Sequence, residues 1–504
     1  MITTGSIYRE HEKIMSRVGL YLKNQSISLR HCEDQAVYKR MTQKVSSITA
    51  DEYTRHVDTH GVCIDETLTF KHCKINTKTG ECNIRFALIA KGIFDFFAMW
   101  FYFLLILLTA FFIKKDNESS VVLLFDLIPN IEKNDRSFVE FCKYGKIKPL
   151  QAANTIVSRV NSLPEVQVDT VVHKYTKRHP IEYCITNCLN NKQLSALFIQ
   201  HLLLPFYFFK SIFNNSFNLL ISQDLALVKI VNFLNRHSIV DAMVITTSWF
   251  QYQPIWMSGL KNRNFRLHML WYSQNFIPKV YKNEEERSNL PSAKLMSVDE
   301  HWVWTDGFSQ YLKSLGQASK IHVVGPILWF LQDINYVTSS VPQIVLFDVT
   351  PSENTNPFGC HKNYYSVELM EKFVFDVVKI CNQLSEKYKT NISILLKHKR
   401  AVGSTHSKKY INFIEAMVSN GDIKLLDHNV NTFSIINESL LSISVPYTST
   451  AYVASFLKKT SIYYDPLAEI SPLFEKNDYI HFVSKYEDLE AFVEVAVIKK
   501  LQHA

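Results

Sequence analysis

The chain has 504 residues, 47% of them hydrophobic, 20% charged and 13% aromatic, with only 13 glycines. That composition excludes a disordered, collagen-like or low-complexity chain and leaves room for two or three packed domains. Lysine and arginine exceed aspartate and glutamate by 55 − 47 = 8 with no long basic run, so nucleic acid is not expected as a partner, whereas an anionic small substrate or anionic lipid suits the balance.

Residues 1–85 form an N-terminal extension of no evident fold. Residues 1–30 are polar and charged without an apolar signal core, and the nine cysteines are irregularly spaced, a pattern that reads as reduced, cytosolic thiols. His56, His60, Cys63, His72, Cys73 and Cys82 include enough ligands for zinc, but no CxxC pair is present. Alternation over Thr67–Arg85 around Asn76-Thr77-Lys78-Thr79-Gly80 predicts a hairpin whose strand cysteines explain the cluster without a metal.

Residues 86–115 are a hydrophobic segment. Phe96–Ile113 carries no charge, reaches the lower length limit for crossing a bilayer, and is closed by Lys114-Lys115. A second apolar stretch, Leu194–Phe209, is broken by Pro205 and followed by Lys210. Contact with lipid is expected for 86–113, as a span or as an in-plane insertion; buried core helix is the alternative for both stretches.

Short apolar strands then alternate with mixed helices through 116–330. Ser120–Leu127, Val166–Val172, Asp241–Thr246, Arg266–Tyr272, His301–Trp304 and Lys320–Val324 read as strands, with helices over Leu225–Arg236 and Gly307–Leu315. A polar break at Thr338–Pro342 separates a second series, 343–484. There strands are predicted at Gln343–Asp348, Asn391–Leu396 and Ile423–Leu426, helices at Ser366–Tyr388 and Lys408–Asn420, and a closing amphipathic helix within 485–504. Such alternation implies α/β architecture: two doubly wound, Rossmann-like domains with ligands between their carboxyl edges.

The most informative segment is Leu440–Pro466. A buried strand ends at Pro446, three hydroxyls follow at Thr448, Ser449 and Thr450 where a helix begins, and a second strand ends in Asp465-Pro466. Free backbone N–H groups at a helix start, joined by hydroxyls, suit a phosphate; ordinary N-capping is the plainer reading. His398, one residue past a predicted strand and flanked by Lys397, Lys399 and Arg400, is placed to give a proton or hydrogen bond to a departing phosphate. For the base that deprotonates an acceptor, Asp306 and Asp126 are the candidates. Asp348 competes with them, or caps the loop at Pro351. Ser273, Gln274 and Asn275, after the strand ending near Tyr272, suit sugar recognition. No P-loop, GxGxxG, GxSxG or convincing DxD occurs, so ATPase, dehydrogenase, serine-hydrolase and metal-dependent readings lack support.

The two-domain pattern, the Val-x-Gly-Pro crossing at 323–326 and the closing helix resemble GT-B glycosyltransferases. FDVTP (Phe347–Pro351), ILLKHKR (Ile394–Arg400) and SVPYTSTA (Ser444–Ala451) resemble bacterial surface-polysaccharide proteins, similar in turn to sialyltransferases and capsule Kdo transferases. That resemblance implies a donor site with His398 in a His-Pro motif, here His-Lys, and Ser449-Thr450 in a Ser-Ser/Thr motif. It also implies a CMP-activated acidic sugar as co-substrate with no cofactor or metal, a lipid-linked or glycan acceptor, and a location at the cytoplasmic face of the inner membrane. Thr305-Asp306-Gly307 is one acid short of the expected acidic pair. Two alternatives stand beside this reading: a sugar-nucleotide epimerase of similar double fold, and a non-catalytic assembly factor.

Overall fold

The computed structural model describes residues 4–25, 27–29, 31–60, 67–113, 120–125, 155–159, 166–168, 171–176, 179–246, 253–271, 273, 280–282, 295–326, 341–351, 364–399, 401–403, 406–428, 430–472 and 477–502. Helices Thr4–Lys23 and Asp34–His60 open the chain. Three short antiparallel strands come next: β1 (Thr67–Thr69), β2 (Cys73–Asn76) and β3 (Cys82–Ile84). The predicted hairpin thus has a third strand, and Cys73 and Cys82 are buried on it as free thiols. Among the described residues no group of three His, Cys, Asp or Glu side chains gathers for a metal; the His60 side chain and Cys63 lie outside them.

Residues 1–85 are not a separate unit. The two opening helices share one core with the first large sheet, through Val18, Leu22, Met41 and Val45 among others. Buried Arg40 clamps Asp224 of helix Ser222–Arg236 at 2.6 Å, and Asp224 also accepts from the Ile255 amide. Burial works against the Asp224 carboxylate, but Arg40 and Lys44 outweigh it and hold the group below its usual range.

That sheet has eight strands: β4 (Val121–Leu124), β5 (Thr155–Arg159), β6 (Val166–Val168), β7 (Val171–Thr176), β8 (Val240–Thr246), β9 (Arg266–Leu270), β10 (Glu300–Val303) and β11 (Lys320–Val323). Their order is β11-β10-β9-β8-β4-β5-β7-β6, parallel except for β6 against β7. Val166–Val172, predicted as one strand, holds β6 and the start of β7, which pair antiparallel. The unpredicted β5 is a five-residue run ending in Arg159, too short to stand out.

The second sheet has six: β12 (Gln343–Phe347), β13 (Ser393–Lys397), β14 (Lys424–Leu426), β15 (Leu441–Ser444), β16 (Ser461–Tyr464) and β17 (Ile480–Val483). All are parallel, in the order β14-β13-β12-β15-β16-β17. The chain winds outward one way from β12 to β14, then resumes on the other side at β15. This reversal leaves a crevice between β12 and β15 at their carboxyl ends. Helix Val367–Tyr388 covers one face; Ser366 caps its start by accepting from the Leu369 amide, left-handed Lys389 ends it, and Leu369, Phe373, Val377 and Leu384 bury its apolar stripe. Helix Tyr486–Gln502 closes the chain, burying Leu489, Val493 and Val497.

Among the described residues, one place where the halves touch is a strap between 280–282 and 469–471. Tyr281 bridges to Ile470, the Lys282 amide donates to Glu469 at 3.0 Å, and the Ser471 amide donates to Val280 at 2.7 Å.

Candidate active site

The register of the second sheet pairs Phe347 with Lys397 on one side and with Ser444 on the other. The next residues, Asp348 and His398, therefore stand side by side at the carboxyl edge. The Asp348 carboxylate, with 0% of its side chain exposed, lies 2.6 Å from Nδ1 of His398, which is 9% exposed. A buried carboxylate accepts, so Nδ1 donates and Nε2 is left for a ligand; Thr350 Oγ1 lies 3.5 Å from the same Nδ1. Tyr410 donates to the same Asp348 oxygen at 3.0 Å, and burial together with that carboxylate pushes its hydroxyl well above the usual tyrosine range. Asp348 is thus a support for the imidazole, not the loop cap at Pro351. Its other oxygen, and the hydroxyl of Ser444 at the end of β15, are buried without a hydrogen-bond partner among the described residues. Orphaned buried polar atoms of this kind accompany strain, catalytic groups and bound water or ions alike.

Across β12 from His398, two strand spacings or about 10 Å away, lies the turn Pro446–Thr450. Tyr447 adopts left-handed backbone, φ +64°, a costly conformation that persists only when its surroundings fix it. Its ring packs on Tyr463 and Phe482 and its hydroxyl donates to Ser471 at 2.5 Å, while Tyr463 donates to the Thr448 carbonyl at 2.6 Å. The turn delivers Thr448 to the start of helix Ser449–Phe456, which has no side-chain cap. The Thr448 hydroxyl turns back to the Val445 carbonyl at 3.1 Å and lies 3.2 Å from the Thr450 hydroxyl. Plain N-capping is therefore not what these hydroxyls do. Ser449 reaches across the cleft, its oxygen 3.0 Å from the hydroxyl of Ser273, which lies just past β9. The carboxyl edges of the two sheets meet at that bond.

The family model of the polysaccharide biosynthesis PFTS motif protein matches residues 207–493, more than half of the chain. The chain belongs to this family. Within the match lies Pro446-Tyr447-Thr448-Ser449. There the Tyr447 ring wedges the turn, and its hydroxyl adds one bond to Ser471. No curated protein matches the chain. Solved structures that it is similar to include the UDP-GlcNAc 2-epimerase from Methanocaldococcus jannaschii, at 12% identity over 75% of this chain and 91% of that one, TM-score 0.37. A trehalose-6-phosphate structure from E. coli with UDP-2-fluoro glucose bound has 12% identity, coverage of 76% and 92%, and TM-score 0.38. TarM of S. aureus has 10% identity, coverage of 54% and 52%, and TM-score 0.34. Scores this low carry no argument about activity, and the fold rests on the sheets themselves.

Of the residues expected at the site, the structure brings His398, Thr448, Ser449, Thr450 and Ser273 to the facing carboxyl edges. Lys397, the last residue of β13, is buried and gives its ammonium to the His428 carbonyl at 2.8 Å. Asp306 is exposed in the first turn of helix Asp306–Ser314, whose cap is Thr305 accepting from the Phe308 amide; it therefore stands past the carboxyl end of β10. Asp126, Gln274, Asn275 and Arg400 lie outside the described residues. Sequence reasoning missed Tyr410 and Tyr447. The one legible signal for Tyr447 was an aromatic between a proline and a hydroxyl run.

Proposed function

We propose that this chain transfers a glycosyl residue from a nucleotide sugar, a CMP-activated acidic sugar, to a lipid-linked or glycan acceptor in polysaccharide biosynthesis, at the cytoplasmic face of the inner membrane. The observation that carries the reading is His398, held through Nδ1 by buried Asp348 at the reversal of the donor sheet, opposite the uncapped helix start at Ser449. Membership of a polysaccharide biosynthesis family agrees with it.

In this reaction the acceptor oxygen bonds to the anomeric carbon as the bond from that carbon to the phosphate oxygen breaks. The electron pair stays on the phosphate. Protonated His398 donates from Nδ1 to Asp348 and from Nε2 to the departing oxygen, so the leaving anion is neutralised where it forms. The amides and hydroxyls at Ser449 and Thr450 and the partial positive charge of their helix hold the remaining oxygens. The acceptor proton passes to a carboxylate on the first domain, for which Asp306 is the described candidate. Charge stabilisation of this kind asks for no metal. The choice of CMP and an acidic sugar rests on the resemblance of ILLKHKR and SVPYTSTA to sialyl- and Kdo-transferase donor motifs.

The test is a thermal-shift screen of CMP, UDP, GDP and ADP against wild type and the double variant Ser449→Ala/Thr450→Ala. CMP should raise the melting temperature most, and the double variant should lose most of that rise. A larger rise with UDP or GDP removes the acidic-sugar donor; no rise with any nucleotide removes the transferase.

A further inference from the structure

Among the described residues, two helices are long and apolar enough to cross a membrane, Phe86–Ala110 and Ser216–Arg236. The apolar window of the second is 83% buried and belongs to the core; that of the first is only 28% buried. Helices Asn191–Leu202 and Leu204–Asn214 lie beside Phe86–Ala110, bent by 41° at a break where Pro205 sits in the first turn of the second. Phe96 stacks on Phe208 at 3.7 Å and Phe111 meets Phe198 edge-on. Trp100 donates to the His201 carbonyl while His201 Nε2 bonds the Trp100 carbonyl. The two apolar stretches are thus one body, and its outer side is bare: Phe94 is 72% exposed, Phe206 69% and Phe213 86%.

We infer that this body is an in-plane docking face for an anionic bilayer, and that Phe86–Ala110 does not span. Its inner stripe, from Leu88 through Gly92, Phe96, Phe103 and Leu107 to Ala110, runs over 23 residues, about 33 Å. That stripe shares the core of the first sheet at Leu88, Phe103, Leu107 and Ala110, and a Cβ on Gly92 would lie 3.0 Å from the Leu219 carbonyl oxygen. Its neighbour Ser222–Arg236 carries the Asp224–Arg40 ion pair and leads into β8, so crossing would drag a buried ion pair and a sheet edge into hydrocarbon. One greasy side with the other docked is the pattern of an interfacial helix. Charge selects the occupant. Across residues 86–115 and 191–214 there are five lysines, 91, 114, 115, 192 and 210, against one aspartate, Asp95, which is paired with Lys91; that excess attracts anionic headgroups. A second protein copy would bring the same lysines against each other.

The test floats the full chain with phosphatidylcholine vesicles and with vesicles that also contain phosphatidylglycerol. Wild type should float with the anionic vesicles and be partly released by high salt. Phe94→Glu/Phe213→Glu should float about tenfold less with an unchanged melting temperature, since both side chains are exposed. In inside-out membrane vesicles, Asn83→Cys and Lys115→Cys should both react with an impermeant maleimide beyond the wild-type background. Reaction of only one, or of neither, overturns the in-plane placement. Failure to float, or concentration-dependent dimers of a chain that does not float, overturns the lipid surface itself. None of these readouts involves a nucleotide, so the docking face stands or falls apart from the proposed transferase.

Discussion

Replacing His398 by glutamine isolates the proposed acid from the architecture that holds it. The imidazole Nδ1 lies 2.6 Å from an Asp348 carboxylate that also accepts from the Tyr410 hydroxyl at 3.0 Å. A glutamine amide can still donate to that carboxylate, so the fold should lose about 1–3 kcal/mol, the range for a buried bond remade imperfectly. Alanine would leave the charge far less compensated and cost about 3–5 kcal/mol. Chemistry should respond quite differently. A positioned acid contributes about 10²–10⁴ in rate, or about 3–5 kcal/mol of barrier, and neither glutamine nor alanine can deliver a proton. Nucleotide release from the donor sugar, measured with acceptor membranes present, should therefore fall by that factor in His398→Gln while the nucleotide-induced rise in melting temperature persists. Asp348→Asn, which keeps the shape but not the charge that fixes the ring, should fall in the same direction. A His398→Gln enzyme within about threefold of wild-type turnover would refute the reasoning. So would one that folds but no longer binds nucleotide.

The packing and the charge arrangement set five further outcomes. Tyr447→Phe removes only the bond to Ser471 and should cost about 0.5–1.5 kcal/mol. Tyr447→Ala removes the ring that fixes a left-handed turn and should cost about 3–5 kcal/mol and abolish nucleotide binding. Arg40→Met strands buried Asp224 and should cost about 3–5 kcal/mol in denaturant unfolding, whereas adding Asp224→Leu should restore most of it. Burial holds His301 to about 4, below its unfolded value of 6.5, so the unfolded chain binds the extra proton between those limits. Stability should therefore drop as pH falls through that window, and His301→Gln should flatten the slope by about 1.4 kcal/mol per pH unit. Finally, turnover should survive dialysis against EDTA; its loss, with recovery on adding a divalent cation, would move charge stabilisation from His398 to a metal.

The second sheet was the most legible part of the fold because its central strands are buried on both faces and read as apolar runs. QIVLF, SILLK and SIYY each lie within a residue or two of their expected places. β17 (Ile480–Val483) was invisible, since its burial is partial and His481 interrupts it. The N-terminal helices could not be assigned to a domain from sequence, because what fuses them to the first sheet is a long-range pair, Arg40 with Asp224, separated by 184 residues. The site shows the same division. The sequence could place Ser449 and His398 at a carboxyl edge because each comes after a strand that announces itself. The role of Asp348 depends on β12 lying beside β13 in register, a fact of sheet order that no local pattern carries. Lys397 shows the opposite failure: a lysine beside the key histidine looks like a phosphate ligand until alternation along the strand sends its ammonium to His428.

The most direct measurement is a crystal structure with the nucleotide that gives the largest thermal shift. Its phosphate is expected between Nε2 of His398 and the backbone amides of Ser449 and Thr450, with the base toward the second domain. A phosphate bound anywhere else, or one on the first sheet with His398 empty, would contradict the placement of the transfer site at the reversal between β12 and β15.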